Sequence, residues 1–255
     1  TELFTWVVCS IGATTLLLGA VNALFQHDLK GVLAYSTISH LGLITLLFGL
    51  SAPMAVVAGV FHILNHATFK ASLFMAAGIV DHETGTRDLR RLGGLKALMP
   101  VTAVLTLVGS LAMAGFPLLN GFLSKEMLLA EVLVAPGPDA FRTALIIAAG
   151  LAGQLGAAYS LRLVWETFFA PGPRQVDGHP HDPPVGMWAP VALLVALCLA
   201  VGIAPQLIAG PALHTAAGAI LGTAQPEYHL ALWHGINTPL LMSLGGIIGG
   251  VALYL

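Results

Sequence analysis

Blocks of about twenty apolar residues, each long enough to cross the hydrocarbon core of a bilayer, follow one another along this chain with short polar interruptions. The first covers residues 3–25 and the second 29–50. After the short Ser51-Ala52-Pro53 connection a third runs over 54–80, followed by a polar stretch from Asp81 to Leu98. The next block, 99–135, is too long for one straight span and carries Gly115, Pro117 and Gly121 in its middle. Proline removes a backbone donor and glycine weakens a helix, so this block is predicted to break near 115–121. Irregular backbone at membrane depth is tolerated where it is buried in protein or lines a wet cavity. Further spans are expected over 140–169, 187–203 and 239–255, with a Pro/Gly-rich connector over 170–184. The stretch between Gln206 and Thr238 fits short interfacial helices better than a clean span. The pattern predicts a single all-α domain, a polytopic transmembrane helix bundle of about seven helices with one discontinuous helix.

Composition agrees with that pattern. Of 255 residues, 57% are hydrophobic and only 9% charged, and the mean hydropathy is +0.88, which excludes an ordinary soluble domain. Cys9 and Cys198 lie in separate apolar runs, so neither a disulfide framework nor a metal-ligand pair is suggested. The chain starts at Thr1 without an initiator Met and stops inside an apolar run, which reads as a fragment of a longer chain. With the expected spans, Lys30, Arg87, Arg90, Arg91, Lys96, Arg162 and Arg174 fall on one side and only Arg142 on the other. The basic side is expected to be cytoplasmic, in a multi-pass protein of the cell membrane.

The chemistry sits inside the apolar blocks. His62, His66 and Lys70 are four residues apart, so on a helix they form a column with a rise of about 6 Å per step. A cation at the centre of a membrane helix costs about 2.5 to 3.5 kcal/mol even on permissive scales, and apolar sequence continues beyond Lys70 from Ala71 to Val80. Such a column points to handling of protons or ions. A metal pair at His62 and His66 is the competing reading, but no Glu lies between them in zinc-protease order and Lys70 would repel a cation, so neither metal nor cofactor is assigned. Histidine accepts at one nitrogen while donating from the other and so can relay protons between lysines. At one-turn spacing, water or hydroxyls must bridge the column.

Two neighbouring segments extend it. Lys125 follows the predicted break, with Glu126 beside it as candidate counter-ion; a broken helix frees carbonyls that can hold ions. The second span carries Tyr35, Ser36, Thr37, Ser39 and His40. The hydroxyls are expected to bond back to the backbone or across to a neighbouring helix, whereas His40 lies near the midplane and could extend the axis sideways from His66. The acids Asp81, Glu83 and Asp88 read as a solvated loop that Arg87 and Arg90 can neutralise, and His179 and His181 as part of a connector. His214, His229 and His234 receive no role.

The run from Asp28 to Gly42, Phe61-His62 through Lys70, Gly115-Phe116-Pro117, and Phe122-Leu123-Ser124-Lys125-Glu126 together resemble the proton-translocating antiporter family. That family includes the antiporter-like membrane subunits of NADH:quinone oxidoreductase. The stretch from His66 to Met75 with Asp81 to Asp88 resembles most closely the A-type member of the Mrp-type multi-subunit sodium/proton antiporter branch. Gly31, where the respiratory subunits usually carry a basic residue, and His40, where they usually have glutamine, favour the same branch.

The resemblance implies a proton pathway through His62, His66 and Lys70 to Lys125, joined by His40 and Lys30. It also implies exchange of protons for a cation, expected to be sodium, and partnership with other membrane subunits in the lipid bilayer, with no nucleic acid. A glutamate and a lysine that complete the first half-channel in this family are absent, which fits a chain beginning downstream of them. The alternative within the fold is a proton-pumping subunit of a respiratory oxidoreductase.

Overall fold

The computed structural model describes residues 2–172, 175–176, 179–233 and 235–255. Arg174, Gly178 and His234 lie outside the described residues. The helices are α1 (Glu2–Phe25), α2 (Leu29–Gly49), α3 (Pro53–Thr84), α4 (Pro100–Ala114), α5 (Asn120–Leu133), α6 (Asp139–Val164), α7 (Val185–Ile203), α8 (Pro205–Ile208), α9 (Gly210–Leu221) and α10 (Thr238–Tyr254). Among the described residues there is no β-strand, only an isolated bridge between Asp28 and Asp88. The helices α1, α2, α3, α7 and α6 with its π-helical extension to Phe169 are long and apolar enough to cross a membrane, and α4 and α10 are shorter apolar helices. The chain is a helical membrane bundle.

Small residues let the first two helices touch backbone to backbone. A Cβ on Gly42 would lie 2.3 Å from the Leu16 nitrogen, and one on Gly12 would lie 2.5 Å from that of Leu46. Close approach of this kind suits a lipid environment, where apolar burial between helices supplies little drive and dispersion contacts must do more. Ser39 Oγ adds a hydrogen bond to the Leu16 carbonyl at 2.8 Å. α3 runs through the centre of the bundle, against α2, α4, α5, α7 and α9.

α3 begins with Pro53 in its first turn and continues one turn past Val80, to Thr84. Its last turn is polar: Asp81 pairs with Lys30 at 2.9 Å, while Glu83 lies between His82 at 3.0 Å and His181 at 3.3 Å. Gly85, at φ 65°, then ends the helix in the left-handed conformation. Arg87 lies 3.2 Å from Asp28, and Arg162 donates to the carbonyls of Leu24 and Gln26 and to His27 Nδ1. Lys96 sits 4.9 Å over the Phe169 ring, and the Arg91 carbonyl accepts from Gln175. Six of the seven basic residues expected on one side are thus drawn to one end, while Arg142 pairs with Asp139 at the far end of α6. Asp88 accepts from the Arg90 side chain and backbone, and these bonds hold its carboxyl at about 2.

The block 99–135 is two half-helices. Gly115 and Leu118, at φ 84° and 72°, reverse the chain between α4 and α5. Glycines on both sides make room: a Cβ on Gly121 would lie 1.9 Å from the Ala112 carbonyl oxygen, and one on Gly202 of α7 would lie 2.1 Å from that of Leu118. The stretch after α7 forms the four-residue α8, the twelve-residue α9 and an irregular segment leading to α10.

Two outcomes follow. Gly121→Ala should lower the stability of the purified protein by about 1–3 kcal/mol, the usual cost of forcing atoms into a filled space, read as a reduced thermal midpoint; an unchanged midpoint would show that α4 and α5 can separate freely. Because the folded Asp88 is more acidic than the usual carboxylate near 3.9, its contribution is present above about pH 4 and fades as pH falls toward 2. Asp88→Asn should therefore lower the midpoint slightly at pH 7 and converge with wild type in acid, whereas a gap that is constant with pH would assign the effect to packing.

Candidate functional site

The break leaves carbonyls at the end of α4 without their helical partners, that of Met113 among them. In an uninterrupted helix the Met113 oxygen would accept from the amide four residues on, but that residue is Pro117, which has no N–H. Lys125 Nζ donates to it instead, at 2.7 Å. A cation at a helix C-terminus is also favoured by the helix dipole. The lysine stem crosses Gly115, where a Cβ would come within 2.8 Å of Lys125 Cδ.

Lys70, 4% exposed, is held on the other side of the same residue. Its ammonium contacts Ser36 Oγ, the Leu33 carbonyl at 3.3 Å and the Met113 sulfur at 3.2 Å. All three are neutral acceptors. Ser36 reaches it while bonding back to Leu33, so the hydroxyl read from sequence as a backbone bonder serves both groups.

The histidines join across helices. His40 Nδ1 and His62 Nε2 are 2.9 Å apart, so one ring donates and the other accepts. The second nitrogen of His62 lies 2.9 Å from Ser124 Oγ on α5, and His40 Nε2 lies 3.5 Å from the Tyr159 hydroxyl on α6. A line of hydrogen-bonding groups therefore runs Tyr159, His40, His62, Ser124 through four helices. The His66 ring is 5.1 Å from that of His40 and 6.1 Å from that of His62, and its buried Nε2 makes no hydrogen bond. Phe69 packs edge-on against all three imidazoles, which fixes their planes. The polar link thus leaves α3 sideways at His62 rather than climbing the column.

A cavity of about 50 Å³ opens beside this line, with His40, Ser39, Tyr159, Lys125, Gly115 and Ser243 in its wall. That is room for a few waters between His40 and Lys125. Glu126, 8% exposed, faces a different cavity of about 340 Å³ with Glu131, Tyr228, His229 and Asn237. Lys125 and Glu126 therefore line separate spaces. Lys30 lies at the basic end on Asp81, apart from the histidines.

Met113, Ser124, Tyr159 and the Asn65–Asn120 clamp join the site without having stood out in the sequence. Asn65 Nδ2 donates to the Asn120 carbonyl at 3.1 Å, and Asn120 Nδ2 donates to Thr68 Oγ1 at 2.9 Å, fastening α3 to the start of α5. Only Met113 had a local signal, the proline four residues later.

The model of a family described as NADH:quinone oxidoreductase/Mrp antiporter, TM, matches residues 2–152. A protein of Rhizobium meliloti (strain 1021), named as the probable A/B subunit of a K(+)/H(+) antiporter, is 56% identical over 254 residues, 100% of this chain and 25% of that protein. The A subunit of the Na(+)/H(+) antiporter of Alkalihalophilus pseudofirmus is 40% identical over 275 residues, 98% of this chain and 34% of that protein. In a structure of the Mrp complex from Dietzia sp. DQ12-45-1b, a chain superposes with TM-score 0.88 at 37% identity, covering 99% of this chain and 27% of the other. In respiratory complex I from Thermus thermophilus with bound NADH, a chain gives 0.75 at 28% identity, over 89% and 46%. The present chain thus spans 25% and 34% of the lengths of these two curated relatives.

Gly115→Ala puts a side chain at φ 84° and a methyl against the Lys125 stem, and should cost about 1–2 kcal/mol from the backbone alone. Adding Lys125→Ala should recover part of the total loss in a double-mutant cycle of thermal stability. Strictly additive losses would show that the stem does not cross Gly115.

Proposed function

The chain belongs to the NADH:quinone oxidoreductase/Mrp antiporter transmembrane family, and from that premise we propose that it forms a proton-conducting half of one subunit in a cation/proton antiporter. The observation that carries this reading is the line Tyr159–His40–His62–Ser124, lying beside two lysines that share Met113. His62 can take a proton at one nitrogen and release one from the other, and His40 can do the same toward the cavity. Water in that cavity would complete the path to Lys125. Lys70 holds its proton against neutral acceptors, of which only the Ser36 hydroxyl can hand a proton on, and His66, whose Nε2 is buried and unpaired, serves as a side branch beside the line. Lys30, paired with Asp81, stands at the mouth of the path on the basic, cytoplasmic end rather than in the relay. Glu126 has no place in this path.

The exchanged ion is an alkali cation. Sodium is the expectation from the sequence, while the relative of 56% identity carries the name of a potassium antiporter. Working partners would be other membrane subunits, within the lipid of the cell membrane. Superposition at TM-score 0.88 on the Mrp complex, against 0.75 on complex I, supports the antiporter reading over a redox-driven pump.

In inverted vesicles carrying the complete assembly, Lys70→Ala and Lys125→Ala should each reduce cation-driven proton flux at least a hundredfold, to background. Adding sodium or potassium separately identifies the cation. Wild-type flux in either variant would remove that lysine from the path, and flux that requires a redox substrate would favour the respiratory alternative.

A further inference from the structure

Met113 touches both lysines from one residue: the sulfur is 3.2 Å from Lys70 Nζ and the carbonyl oxygen 2.7 Å from Lys125 Nζ. The two contacts reach different lysines through different parts of the same residue, so moving its backbone moves both. That backbone is tied by its own turn and by Lys125. Met113 lies in the last turn of α4, where Gly115 N and Phe116 N both return to the Leu111 carbonyl and Gly115 N also reaches that of Ala112. The Met113 carbonyl itself is held by Lys125, with a left-handed glycine two residues on. Methionine suits the other contact, because its sulfur is a weak, polarizable acceptor on a flexible stem.

We propose that Met113 is a positioning residue that ties the state of Lys125 to that of Lys70, an inference that rests on the proton-path reading above. With Lys125 on the carbonyl, the last turn of α4 is oriented so that the sulfur lies on the Lys70 ammonium. When Lys125 passes its proton on and swings toward the cavity, the turn relaxes and the sulfur withdraws. Lys70 then retains only Ser36 and the Leu33 carbonyl, and gives up its proton more readily, by way of the Ser36 hydroxyl, to water entering the proton path. The two lysines are thereby coupled mechanically, in addition to any charge they feel across the bundle. The titratable groups that face this region are His40 on α2, His62 and His66 on α3, Lys125 on α5 and Tyr159 on α6. α4 and α7 carry no charged side chain.

The test compares Met113→Leu, which keeps size and apolarity but has no acceptor, with Met113→Gln, which restores one at similar length. Both are assayed in the complete assembly for cation-driven proton flux as a function of pH. Met113→Leu should slow exchange about three- to tenfold, the size of an ordinary net hydrogen bond and below that of a strong acceptor on a charged group, as suits a weak thioether acceptor. The pH of half-maximal exchange should also fall, because the ammonium loses an acceptor that the neutral amine does not need. Met113→Gln should return rate and profile toward wild type, with assembly and thermal midpoint preserved in both.

A wild-type rate and profile in Met113→Leu, with Lys70→Ala inactive, would overturn the proposal and leave the antiport reading standing. Equal slowing in both variants with an unmoved profile would mean a packing role only, and would also overturn it. Active Lys70→Ala and Lys125→Ala variants would remove the antiport reading and this inference together.

Discussion

A helix-end carbonyl that proline has deprived of its donor, answered by a lysine from the next half-helix, is the contact on which the site depends. It turns an interruption that would be costly in lipid into a paired one. Leu118 in a left-handed conformation, Gly121 against the Ala112 carbonyl and Gly202 against that of Leu118 are the packing consequences of keeping the break in place. The same geometry brings the Lys125 amine to the cavity that His40 and Tyr159 also line. Backbone irregularity and site chemistry are therefore one feature.

The remainder of the polar interior is organised to hold groups that accept or donate without neutralising the lysines. Lys70 is surrounded by a hydroxyl, a carbonyl and a thioether. Acids are kept elsewhere: Asp81 and Asp88 face Lys30 and Arg90 at the basic end, Glu83 lies between two histidines there, and Glu126 and Glu131 line a separate cavity. A carboxylate beside either lysine would form a strong pair and hold its proton in place. Neutral acceptors satisfy the ammonium's hydrogen bonds while leaving the proton able to move, which is what a conducting path needs.

Much of the fold was legible because a bilayer imposes length and apolarity on every span. The spans over 3–25 and 29–50 and the interruption between Gly115 and Gly121 could be read from single residues. The end of α3 could not, since the turn after Val80 is held by pairs with Lys30 and His181, residues distant in sequence. The site divides in the same way. His62, His66, Lys70 and Lys125 stand out because ionisable groups are costly in lipid, and His40 because it breaks an apolar run. Ser124, Tyr159 and Met113 are ordinary membrane-helix residues whose importance arises only from which helices pack together. One-turn spacing suggested transfer up the α3 column with His40 joining sideways at His66; the contact falls instead at His62, one turn earlier, because the register between α2 and α3 is set by their packing and not by periodicity within either segment.

Proton passage along this site requires solvent that joins His40 to Lys125. A high-resolution structure of the complete assembly in lipid, read for density in the cavity of about 50 Å³, measures this directly. Ordered water within hydrogen-bonding distance of both Lys125 Nζ and His40 or Tyr159 is the predicted result. A dry cavity, or one filled by an acyl chain or an apolar side chain from a neighbouring protein, would contradict it.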